Sequence, residues 1–149
     1  MPKPNMFKTL KFWTVFTIAV VIFYAVGSFT SDIIIRQFKV SAYKKALIKA
    51  ENEINKNCPI LIDRETRLDN VIALPDNVFQ YNYTLINTLK DSLNADDLKE
   101  YLEPSVINFV KSNPDMKTLR DNKTTINYYY KDKSGVYLFT ISVKPNQYE

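Results

Sequence analysis

The chain is 149 residues long with a formal charge of +4, no histidine, one cysteine and two glycines. That composition excludes Ser-His, Cys-His and His–metal chemistry, an internal disulfide or thiolate cluster, and a Gly-rich phosphate loop. Residues 1–57 hold nine Lys/Arg against three Asp/Glu, and residues 58–149 hold eleven against thirteen. The basic excess is therefore placed to face anionic lipid head groups, and the slightly acidic distal part speaks against nucleic acid as a partner.

Residues 1–11 form a short basic tail carrying Lys3, Lys8 and Lys11, expected in the cytoplasm. Residues 12–30 read FWTVFTIAVVIFYAVGSFT, with no charge, proline or side-chain amide. At about 1.5 Å per residue a helix of this run reaches roughly 28 Å, close to the hydrocarbon thickness of a bilayer. Phe12, Trp13, Tyr24 and Phe29 sit near its ends, where aromatic rings favour the interface. The reading is a single transmembrane anchor. A cleaved signal peptide is the alternative, with Ala25-Val26-Gly27 as the small-residue site before Ser28. A lipoprotein signal is excluded because the only cysteine, Cys58, lies far downstream. Basic residues flank the run on both sides, so the positive-inside count nearly ties. The short basic tail followed at once by an apolar run favours an uncleaved anchor with the remainder outside the cytoplasm.

Residues 31–57 read as an amphipathic helix or linker. Tyr43, Ala46, Leu47, Ala50 and Ile54 recur at three- and four-residue steps, with lysines off that stripe. The stripe either packs on a sheet or lies on the membrane surface. At Asn57-Cys58-Pro59 proline stops the helix and an extended segment begins.

Residues 58–149 form the expected α+β domain. Leu68, Asn70, Ile72 and Leu74 alternate with Arg67, Asp69, Val71 and Ala73, and Pro75-Asp76-Asn77 turns the chain into the clearest strand. There Phe79, Tyr81, Tyr83 and Leu85 share one face, and Gln80, Asn82 and Thr84 the other. Asn94 or Asp96 caps a helix with Leu98, Tyr101 and Leu102, and Pro104 opens a second with Val106, Ile107 and Val110. Pro114 begins a short turn. The last hairpin closes over Asp132-Lys133-Ser134-Gly135, with Ile126, Tyr128 and Tyr130 on one face and Tyr137, Phe139, Ile141 and Val143 together on another. The fold class is α+β: an N-terminal transmembrane helix, then an antiparallel sheet of two hairpins with helices on one side.

No cofactor or metal site is expected. The candidate interaction residues are Asp63, Arg67, Asp69 and Tyr129. Arg67 is expected to be neutralised by Asp63 or Asp69. Tyr129 points away from Tyr128 and Tyr130 and is available to a protein or glycan partner. The catalytic alternative is a carboxylate enzyme or peptidoglycan-processing accessory using Asp63, Glu65 and Asp69, whose spacing by itself fixes no geometry.

The runs Thr66-Arg67-Leu68-Asp69, Tyr81-Asn82-Tyr83-Thr84-Leu85, Asn113-Pro114-Asp115-Met116 and Tyr128-Tyr129-Tyr130-Lys131-Asp132 resemble those of a family of small bacterial envelope proteins. Its members are secreted, lipid-linked or membrane-anchored and have no assigned activity. The resemblance covers about residues 55–145. Members often carry a cysteine before the NPDM-like run and another at the C-terminus, as a bridge. Lys111 and Tyr148 stand in such places here, so the bridge is absent. The resemblance implies location and fold, and no reaction. Together the readings describe a single-pass protein of the bacterial inner membrane, non-enzymatic, with the bilayer as one partner and an envelope protein as the other. An exclusion factor that masks an envelope target against a toxin or phage is a further alternative.

Overall fold

The computed structural model describes residues 38–40 and 42–149. The 12–30 run, the basic tail and the 31–37 part of the linker lie outside the described residues. Among those described, no helix is long and apolar enough to cross a membrane. The chain divides into two compact units, Met1–Ala42 and Tyr43–Glu149. All that follows concerns the second.

Helix α1 occupies residues 43–55 of this unit. Strands β1 (Ile60–Leu61), β2 (Thr66–Leu74) and β3 (Val78–Leu85) follow, then α2 (Ala95–Ser112), α3 (Lys117–Asp121), β4 (Thr125–Asp132), β5 (Tyr137–Val143) and a last turn of helix, α4 (Pro145–Tyr148). The five strands form one sheet in the order β1-β2-β3-β4-β5. The sheet is mixed, which corrects the antiparallel expectation: β3 and β4 pair in parallel and all other pairs are antiparallel. Two hairpins joined by a tight connection would stay antiparallel. Here the connection contains α2 and α3, long enough to return the chain to the end where β3 began. Asn77, in the β2–β3 turn, fixes that return. Its side-chain amide donates to the carbonyls of Asn122 and Lys123, and its own carbonyl accepts from Thr125 N–H at 3.0 Å. Val78 thereby lies opposite Thr125.

The β2–β3 turn is the three-residue loop Pro75–Asn77 between the paired Leu74 and Val78, and it places Asp76 and Asn77 at φ of 57° and 59°, the left-handed region that Asp and Asn tolerate best after glycine. Gly135 supplies φ of 84° in the second hairpin loop. Asp132, almost fully buried, closes that loop by accepting from Ser134 and Val136 N–H, and also from Lys90 N–H of the preceding turn.

Two bulges change the expected strand phases. One residue of β2 is extra at Asp69, so Leu68 and then Val71 and Ala73 face the core, while Asp69 and Asn70 both turn to the other side. Leu138 is extra in β5, so Tyr137 pairs with Lys131 on the polar face and leaves the face of Phe139. Pro104 does not start a new helix but sits inside α2, which runs unbroken for 18 residues. Asn94 is the cap, accepting from Asp96 and Asp97 N–H. A mid-helix proline removes one backbone bond; the single stripe that both halves present to the sheet offsets that loss.

The core joins Val71, Phe79, Ile126, Ile141 and Val143 of one sheet face to Leu47 of α1, Val110 of α2 and Leu119 of α3. The opposite face is layered by register. Ile72, Gln80, Asn127 and Ser142 form one row, and Asn70, Asn82, Tyr129 and Thr140 the next.

Candidate functional site

On the core side, one end of the sheet is not filled. A groove of about 480 Å³ runs there between α2 and the β1–β2 loop, within the size range of ligand pockets. Leu98, Leu102, Ser105, Val106 and Phe109 line the helix wall, positions that fall on one face at the helical period. Ile62, Asp63, Glu65 and Thr66 form the loop wall, and Tyr83, Leu85, Tyr128 and Tyr130 the floor. Phe109 is 44% exposed, a large aromatic at the groove mouth.

The parallel register builds the floor, since Tyr81 lies opposite Tyr128 and Tyr83 opposite Tyr130. Their rings stack: Tyr81 on Tyr128 at 5.4 Å, Tyr83 on Tyr128 at 6.2 Å and Tyr83 on Tyr130 at 5.3 Å. Burial pushes all four phenols up, Tyr81 and Tyr130 to about 12, and the nearby charge of Asp63 adds to the rise at Tyr130. The Tyr128 hydroxyl is buried and has no hydrogen-bond partner among the described residues, in a residue only 5% exposed. A buried polar group left unmatched is costly.

Asp63 and Glu65 stand on the rim. Asp63 accepts from Glu65 and Thr66 N–H, both at 2.7 Å, and those bonds hold its carboxyl below the ordinary range. Glu65 accepts from the Asn87 amide. The other candidates lie on the opposite sheet face. Arg67 pairs with Asp69 at 2.6 Å, where Asp69 also accepts from Thr84 at 2.6 Å and Lys131 at 3.0 Å. Burial pushes the Asp69 carboxyl up, but hydrogen bonds from Thr84, Arg67 and Lys131 pull harder and leave it low. Tyr129 is half-buried on that face, with its ring 5.2 Å from that of Tyr137. The structure thus brings Asp63 to Glu65, and Arg67 to Asp69, but does not bring the three carboxylates together. Tyr128, which the sequence reads as one of a face of mostly core aromatics, and the α2 stripe ending at Phe109 are not among the candidate residues of the sequence. Splitting the helix at Pro104 concealed the stripe's continuity.

Among the described residues, no group of three His, Cys, Asp or Glu side chains could hold a metal ion. No curated protein matches the chain. Three solved structures share its fold. One, a Pseudomonas aeruginosa protein described as a candidate secreted protein, is 13% identical with a TM-score of 0.60, covering 71% of this chain and 92% of its own. The Vibrio vulnificus type 2 secretion system pilotin EpsS is 13% identical with a TM-score of 0.52, covering 73% and 97%. The Vibrio cholerae type II secretion system pilotin AspS is 12% identical with a TM-score of 0.50, covering 72% and 97%. Residues 41–139 match the family described as a domain of unknown function, DUF8479, and the chain belongs to that family.

Proposed function

We propose that this is a non-enzymatic partner-binding protein of the bacterial envelope, anchored by residues 12–30 in the inner membrane and presenting residues 43–149 outside the cytoplasm. The observation that carries the binding role is the groove: a mostly apolar trough with exposed Phe109 at its mouth and a buried, unmatched phenol at its floor. Apolar concavities that hold aromatic side chains and a few polar anchors are what protein partners fill. The pilotin and candidate secreted protein folds support the envelope setting, and the uncharged 12–30 run supports the anchor. The protein is accordingly an accessory subunit of a membrane complex. The division of Asp63 and Glu65 from Asp69 between two sheet faces weighs against the carboxylate-enzyme alternative.

The test uses the full chain, extracted from membranes in mild detergent and followed by native electrophoresis. Phe109→Asp should release it from a larger assembly, whereas Asp69→Asn should retain it, and Asp63→Asn and Glu65→Gln should weaken attachment only partially without abolishing it. A reporter that works only outside the cytoplasm, fused after Glu149, should be active. An assembly indifferent to Phe109→Asp would overturn the binding role of the groove, and reporter activity only in the cytoplasm would overturn the placement.

A further inference from the structure

We infer that the groove takes a helical segment of the partner, about three turns long, with one apolar face and lysine or arginine at the end nearest Asp63 and Glu65. This rests on the partner-binding reading above and specifies the chemistry of what binds.

Length comes from α2. Leu98 to Phe109 spans eleven residues of rise, roughly 16 Å at about 1.5 Å per residue, which matches three turns of an opposing helix. Helical rather than extended form follows from the hydrogen bonds of the walls. A peptide adding to the sheet needs free strand-edge groups. The loop wall has spent its own: Ile62 and Asp63 N–H both donate to the Thr66 carbonyl, Ile86 N–H donates to the Glu65 carbonyl, and the Asp63 carboxylate takes Glu65 and Thr66 N–H. The other wall is α2, whose backbone is bonded internally apart from the one bond that Pro104 removes. An occupant must therefore satisfy its own backbone before entering an apolar trough, and a helix does so.

Charge sets the polarity of the ligand. Among the described residues, the groove lining contains two carboxylates, Asp63 and Glu65, and no lysine or arginine. Both carboxylates stand at the loop wall. A basic side chain at that end is attracted, and an acidic one is repelled. Below them, the Tyr128 phenol offers a hydrogen bond to a hydroxyl or amide on the apolar face of the incoming helix.

The experiment replaces Phe109 in the full chain with photoreactive benzoylphenylalanine, irradiates intact membranes and maps the attached segment by mass spectrometry. The expected segment has apolar residues at i, i+3, i+4 and i+7 with Lys or Arg at one end. Its synthetic peptide should gain helical circular dichroism on binding the full chain. Glu65→Lys, and separately Asp63→Asn, which keeps the turn acceptor, should weaken binding about two- to fivefold each. A peptide with its basic residue changed to Glu should recover affinity on Glu65→Lys. An attached segment that is proline-rich, extended or acidic would overturn this inference and leave the partner reading standing. Attachment to lipid alone, or none from position 109 while the same group at Tyr129 captures protein, would overturn both.

Discussion

The side-chain amide of Asn55 behaves as a missing strand for Val71. Its oxygen accepts from Val71 N–H at 2.7 Å and its nitrogen donates to Val71 C=O at 2.8 Å. Beside it, the Glu51 carboxylate accepts from Ala73 N–H at 3.0 Å. Strand β1 pairs only with the start of β2, at Arg67 and Leu68, so α1 caps the rest of that edge with side chains. Bare edges invite pairing with other chains. Helix α1 thus belongs to the sheet's chemistry as well as to its core.

Asn55→Ala should cost about 1–3 kcal/mol, because it leaves two backbone groups without partners beside a fully buried side chain. Urea denaturation followed by near-ultraviolet tyrosine dichroism checks this, since the lone tryptophan, Trp13, belongs to the 12–30 run and not to the sequence of this domain. Unchanged stability would mean that Val71 finds another partner.

Phe139 and Phe109 should separate folding from binding. Phe139 is 3% exposed and packs on Tyr130 with ring centroids 4.9 Å apart, so Phe139→Ala should cost about 3–5 kcal/mol. Phe109→Ala removes a partly exposed ring and should change stability by less than about 1 kcal/mol, while removing partner attachment. Equal losses of stability would mean that Phe109 is core.

The strands of this domain were legible where a side-chain alternation runs uninterrupted, as in β3 and β4. There Phe79, Tyr81, Tyr83 and Leu85, and Ile126, Tyr128 and Tyr130, do share faces. The bulges were not legible. Asp69 and Leu138 each add one residue without disturbing composition, yet they flip every position beyond them. The parallel pair escaped for another reason, since local pattern records strands but not the end of the sheet to which a helical crossover returns. The rim was half visible. Asp63 stood out as a charge in a turn, whereas Tyr128 read as one core aromatic among several, because an unmatched hydroxyl has no signature in the sequence.

Acid should unfold this domain through Asp132 and Asp69. Burial pushes the Asp132 carboxyl up, but the N–H groups of Lys90, Val136 and Ser134 more than compensate, so its folded pKa lies low, as does that of Asp69. A depressed folded pKa gives stability that is complete above the unfolded value of about 3.9 and is lost as pH falls through the folded one. Urea midpoints measured from pH 7 down to about pH 2.5 should drop below about pH 4. Asp132→Asn should lower the neutral-pH midpoint and flatten the acid limb. A steep limb that survives in both Asp132→Asn and Asp69→Asn would assign acid lability to other groups.

The most direct test of the groove concerns Tyr128. Its hydroxyl is buried, unmatched and set among stacked rings whose pairing a phenyl group would preserve. That hydroxyl has no partner among the described residues, and a buried donor left without one costs about 1–3 kcal/mol. Tyr128→Phe should therefore stabilise the unbound chain by an amount of that order, read as a higher urea midpoint with an unchanged slope. The same substitution should weaken partner attachment, because the bound state is where the phenol gains its hydrogen bond. Stability and binding would then move in opposite directions for the loss of one oxygen atom, a pattern that neither simple packing nor misfolding produces. If Tyr128→Phe lowers the midpoint instead, the hydroxyl is already matched in the free protein, by a bound water, and the groove floor has no vacancy for a ligand to fill.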